Sequence, residues 1–103
     1  MQKMIVALYA LIERRISLTE GVRDVVFAAA DARSIDSSLL GPFTGVDSEL
    51  MRFPVGEVRQ YWYPYRLIEL DAERLVEEKH YDALIMEAAQ RLLDWLHRRT
   101  GMV

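Results

Sequence analysis

The chain has 103 residues, 51% hydrophobic and 28% charged, with 16 acids against 13 bases and a net charge of −3. This length fits one domain over residues 1–103 with a buried core, and the balance excludes a disordered chain. Cysteine is absent, which excludes disulfides, thiolate metal sites and cysteine nucleophiles.

The first apolar run, Met4–Ile12, is nine residues long, against the ~20 needed to span a bilayer. No small-residue cleavage pattern follows it, so the reading is a soluble, cytoplasmic chain with no membrane partner. Met4, Ile5, Leu8, Leu11 and Ile12 recur every three or four residues and predict a first helix, ending near Ile16. Ser17-Leu18-Thr19-Glu20 then reads as a capping box, with the Ser17 hydroxyl accepting from the amide three residues on and Glu20 reaching back to the Ser17 amide. A second helix should start at Leu18 and bury Leu18, Val22, Val25, Ala29 and Ala32.

From Arg33 to about Pro64 the punctuation by Gly41-Pro42, Gly45, Pro54, Gly56 and Pro64 predicts a long, partly ordered loop. Short helical turns fit near Ser37–Leu40 and Val58–Tyr63, and Val46, Leu50, Phe53, Val55 and Val58 would tie the loop to the core. Loops of this length are usually functional. Pro64 suits a helix first turn, and Leu67, Ile68, Leu70, Ala72, Leu75 and Val76 give that helix an apolar side. The polar Glu77-Glu78-Lys79-His80 suggests two helices meeting near His80, with one long helix over 65–99 as the alternative. Leu84, Ile85, Ala88, Leu92, Trp95 and Leu96 form the closing stripe, stopped by Arg98, Arg99 and Gly101. The predicted fold class is all-α: an irregular four-helix bundle with a long central loop.

Chemistry is sparse. Glu77-x-x-His80 and Asp94-x-x-His97 each place a carboxylate and an imidazole on one helix face. The histidines are seventeen residues apart, ~25 Å along a continuous helix, too far to share a metal. No serine sits in a Gly-x-Ser-x-Gly turn and no phosphate-binding loop is present, so no metal, cofactor or catalytic residue is assigned. An acid–base pair at Asp47 and Glu49 with Arg59 is the weakest of three readings.

Two features point to binding. The whole charge surplus lies in residues 67–79, where Glu69, Asp71, Glu73, Glu77 and Glu78 outnumber Arg74 and Lys79; this is either a solvated helix face or an acidic surface for a basic partner. Six of the ten aromatics fall between Phe43 and Tyr65, ending in Tyr61-Trp62-Tyr63-Pro64-Tyr65. Adjacent rings cannot all face inward, so Tyr61 or Tyr63 should be exposed and Trp62 buried. Tyr, Trp and Arg are enriched at interface hot spots. Arg59 and Arg52 would clamp Asp47 or Glu49 and pin the loop. Nucleic acid is excluded as a partner, because Glu57 and Glu69 deny the aromatics a basic surround.

Val46-Asp47-Ser48-Glu49, Pro54-Val55-Gly56-Glu57-Val58-Arg59, Trp62, Pro64, Leu67 and Asp71 resemble a group of short, uncharacterised bacterial helical proteins. Their central segment reads Ile-Asp-Ser-Glu-Thr-Asp-His-Leu-Pro-x-Gly-x-x-Arg-x-x-Trp. The chain departs at Leu50-Met51-Arg52-Phe53, where that pattern has Thr-Asp-His-Leu, so chemistry that needs the Asp-His pair is not carried over. The resemblance implies a bacterial source and a helical fold. In size, helix order and acidic surface the chain is also similar to the small helical immunity proteins of tRNA-cleaving colicins, an analogy of fold without a motif.

The expected function is therefore binding without catalysis: neutralisation or inhibition of a partner protein, of which a basic toxin or nuclease domain is one kind. Tyr61, Tyr63, Tyr65, Arg59, Glu69, Glu73 and Glu77 are its candidate contact residues, with Asp47, Glu49, Arg52 and Arg59 pinning the loop. The alternative is a structural or regulatory helical protein that associates with itself.

Overall fold

The computed structural model describes residues 2–32 and 34–100, where all regular structure is helical. Helix α1 spans Gln2–Ile12 and buries Met4, Ala7, Leu8 and Leu11. It stops four residues before the predicted Ile16. The Arg15 amide donates to the Ala10 carbonyl at 2.9 Å and the Arg14 amide to Leu11 at 3.1 Å, closing the helix with Arg14 at φ 57°. This Schellman closure normally uses glycine at the left-handed position. An L-residue there costs roughly 1–2 kcal/mol. Two guanidinium hydrogen bonds from Arg14 to Asp82, at 2.7 and 2.8 Å, pin the turn.

Helix α2, Leu18–Ala30, begins as the sequence predicts, with the Ser17 hydroxyl accepting from the Glu20 amide at 3.2 Å. The Glu20 carboxylate takes the Ser17 hydroxyl rather than its amide. Gly21 lies against Leu11, so close that a Cβ there would overlap the Leu11 side chain. The missing side chain is what lets α1 and α2 approach.

Much of the predicted loop is helix α3, Ser37–Leu50, capped by the Asp36 carboxylate on the Ser38 amide at 3.0 Å. Phe43, Val46 and Leu50 are buried at helical spacing, and this burial outweighs the glycines and Pro42. Pro42 leaves the Ser38 carbonyl without its helical donor, but Ser38 is exposed to water. Phe53 and Pro54 are buried and anchor the chain beyond α3. A short 3-10 helix, Gly56–Tyr61, follows with Gly56 at φ +72°, while Val58, expected in the core, is exposed.

Helix α4 runs unbroken over Pro64–Thr100. The predicted break near His80 does not occur, because Glu77-Glu78-Lys79-His80 contains no helix breaker. Its 37 residues make about ten turns, against the 11 to 14 residues of the other α-helices. α1, α2 and α3 all pack on α4, and α2 also packs on α1 and α3. The core from α4 is concentrated in Ile85, Ala88, Ala89, Leu92, Leu93 and Leu96; in its first fourteen residues only Leu70 is buried. The proposed stop at Gly101 lies outside the described residues.

Candidate functional site

The amino-terminal half of α4 carries two series of side chains on opposite faces. Leu70, Arg74, Glu77, Tyr81 and Ile85 turn toward the bundle and are at least partly buried. Tyr65, Ile68, Ala72, Leu75 and Lys79, with Val76 beside them, lie about 200° round the helix and are exposed. The sequence assigns Ile68, Leu75 and Val76 to the core, yet they are between 59% and 72% exposed. Their signal was two offset series, each with its own three-and-four spacing.

The aromatic elbow continues this face. Tyr61 is 82% and Tyr63 72% exposed, as predicted, but Trp62 is also 40% exposed. Phe53 is buried in the core, whereas the elbow lies at the start of α4, whose first fourteen residues bury only Leu70. The Tyr63 carbonyl accepts from the Arg66 and Leu67 amides at 3.0 and 3.1 Å, closing the first turn over Pro64. The Tyr63 and Tyr65 rings stack with centroids 5.7 Å apart.

Arginines hold the elbow in place, with partners other than those the sequence suggests. Arg59 makes two 2.7 Å hydrogen bonds to the Asp71 carboxylate and a third, at 3.2 Å, to the Pro54 carbonyl. Arg52 pairs with Glu73 at 2.6 Å, and Arg66 with Glu69 at 3.0 Å. The hydrogen bonds from Arg59 hold the Asp71 carboxyl below its ordinary range, helped by the Arg59 and Arg74 charges against the effect of burial. Arg52 and Arg59 do not clamp Asp47 or Glu49: Asp47 is half-buried beside Arg23 at 3.5 Å, and Glu49 is exposed on α3. The sequence separation, 12 residues for Arg59–Asp71 and 21 for Arg52–Glu73, crosses the 3-10 helix and was not legible without it.

The acidic segment is consequently not a free acidic surface. Glu69, Asp71, Glu73 and Glu78 all pair with arginine, and Glu77 alone of its five acids forms no ion pair among the described residues. Glu78 also accepts from the Thr19 amide at 2.9 Å and the Thr19 hydroxyl at 2.7 Å. It thus serves as a second cap on α2, supplied from α4, where a carboxylate also suits the helix dipole.

Beside Leu75 the exposed face meets a groove of about 500 Å³, walled by the α1–α2 turn at Ile16 and by Ala83 and Met86. Of its polar side chains, Arg14 pairs with Asp82, Ser17 with Glu20, and Glu78 with Thr19 and Arg74, while Lys79 forms no ion pair among the described residues. His80 packs edge-on to Tyr81, and His97 lies 3.5 Å from the Tyr9 hydroxyl at the other end of α4. Among the described residues no three metal-binding side chains converge, and no helix is long and apolar enough to cross a membrane. Comparison with family models, curated proteins and solved structures finds no match.

Proposed function

We propose that this chain is a non-catalytic protein-binding domain whose contact surface runs from Tyr61 through Tyr63, Tyr65 and Ile68 to Val76. The observation that carries the reading is the second apolar face of α4, turned away from the core. A helix apolar on opposite sides is built to lie between two layers, and this chain supplies one of them. Contiguous exposed apolar surface of this kind marks interaction sites. The arginine ties hold the surface in place before binding, which lowers the cost of association. Binding here would act by occlusion, as in neutralisation of a partner protein inside the cell.

Self-association is the second reading, and a specific observation favours it over capture of a basic toxin or nuclease: four of the five carboxylates that would steer such a partner are held by arginines of this chain. Salt separates the two. Steered binding weakens as ionic strength rises, whereas apolar association does not. The domain-level test compares wild type with Tyr63→Ala and Ile68→Asp by sedimentation and by affinity capture from cell extract. Loss of association with unchanged urea midpoints supports the surface; association that survives both changes contradicts it.

A further inference from the structure

We infer that the surface docks a second copy of this chain, with the two α4 helices antiparallel across a twofold axis at Ala72. The inference rests on reading the Tyr61–Val76 face as a binding surface and adds the identity and register of the occupant. Three observations point to it.

The first is the symmetry of the stripe. Tyr65 and Lys79 each lie seven residues from Ala72, ~10 Å along the helix, and Ile68 and Val76 each lie four residues away. An antiparallel pair therefore sets Ile68 against the other copy's Val76 and the Tyr65 ring against its Lys79. Lys79 has no ion-pair partner among the described residues, and an ammonium over a tyrosine face is a favourable contact. Ala72, the smallest side chain of the stripe, falls at the crossing point and permits the ~8–10 Å approach of packed helices. Tyr61 and Tyr63, before the helix start, overhang the region past the other copy's Lys79, which is where the groove at Ala83 and Met86 opens. Knob and groove lie on one surface, which is what an isologous interface requires.

The second is area. Tyr61, Tyr63, Tyr65, Ile68, Leu75 and Val76 are 59% to 82% exposed. At ~150–250 Å² for each large ring and less for the aliphatic chains, they offer on the order of 700 Å² per copy, close to the ~800 Å² per partner of a stable interface.

The third is charge. Residues 67–79 carry a formal −3, and two such segments would repel if free. Arg52, Arg59 and Arg66, which lie outside the segment, and Arg74 within it occupy four of its five carboxylates, so two copies can meet without a like-charge penalty.

Because the chain lacks cysteine, a single introduced thiol reports the register. Ala72→Cys should cross-link into a covalent dimer under mild oxidation, while Ser48→Cys on exposed α3 should not. Sedimentation equilibrium should show a dimer for wild type, and Ile68→Asp should weaken it at least ~30-fold with unchanged helical circular dichroism. Phe27→Ser, exposed on α2, should leave the dimer intact. A wild-type chain that stays monomeric overturns the self-docking inference. The binding-surface reading then stands or falls separately, on whether Ile68→Asp changes capture from cell extract. A dimer that Ile68→Asp dissolves but Ala72→Cys fails to cross-link overturns the twofold register.

Discussion

Glu78 joins the long helix to the start of α2, and its removal has a cost that can be worked from its contacts. The carboxylate accepts from the Thr19 amide at 2.9 Å, the Thr19 hydroxyl at 2.7 Å and the Arg74 guanidinium at 2.9 Å. Thr19 is 1% exposed, and the Glu78 and Arg74 side chains retain 12% and 16%. Glu78→Ala leaves the Thr19 hydroxyl buried without its acceptor, at ~1–3 kcal/mol. It also strips Arg74 of its closest charge partner; Arg74 retains Asp71 at 3.6 Å, while its Nε already lacks a hydrogen-bond partner. The two effects share one group and do not add fully, so the expected loss is ~3–4 kcal/mol. Glu78→Gln keeps an acceptor for Thr19 and should lose only ~1–2 kcal/mol. Urea denaturation followed by circular dichroism measures both, with Glu77→Ala as the neighbour expected within ~1 kcal/mol of wild type. Equal midpoints for Glu78→Ala and Glu77→Ala would refute the second cap. So would full additivity with Thr19→Val, since groups in direct contact should couple.

At the α1–α2 turn, Arg14→Ala should destabilise by ~1 kcal/mol or more relative to Arg14→Gly, because both lose the Asp82 pair and only glycine relieves the left-handed backbone; urea midpoints decide it. Gly21→Ala should cost ~1–3 kcal/mol despite the better helix propensity of alanine, since the buried Leu11 side chain blocks the new methyl. Asp71 is held below the ordinary carboxylate range by Arg59. Its contribution is therefore complete above the unfolded value of ~3.9 and disappears as pH falls through the lower folded value. Asp71→Asn should be less stable than wild type at neutral pH, and the gap should close below about pH 4 in urea melts at stepped pH.

The sequence revealed most where a local signal met no competitor. Ser17 and Glu20 marked the start of α2 because cap and helix lie within four residues. The same logic missed α3, because Gly41-Pro42 and Gly45 are strong local breakers while Phe43, Val46 and Leu50 stabilise the helix only through burial against other elements. It divided α4 at Glu77–His80 because a polar run looks like a boundary until Glu78 is seen capping α2, 59 residues away in sequence. Tyr61 and Tyr63 were legible as exposed from crowding alone. Trp62 was not, since crowding shows that some rings must face water but not which, and the start of α4 offers little core to cover it. Leu75 and Val76 looked like core because apolar spacing reports that a face is buried by something, and not whether that something belongs to the same chain.

The most direct test of the account is a paired measurement on Ile68→Asp, comparing its urea midpoint and its sedimentation mass with those of wild type. Ile68 is 72% exposed, so the account predicts a stability change within about 0.5–1 kcal/mol together with loss of association. A variant destabilised by several kcal/mol would contradict the exposed placement of this face of α4, and one that keeps its stability and sediments as wild type does would contradict the claim that the face docks a second copy.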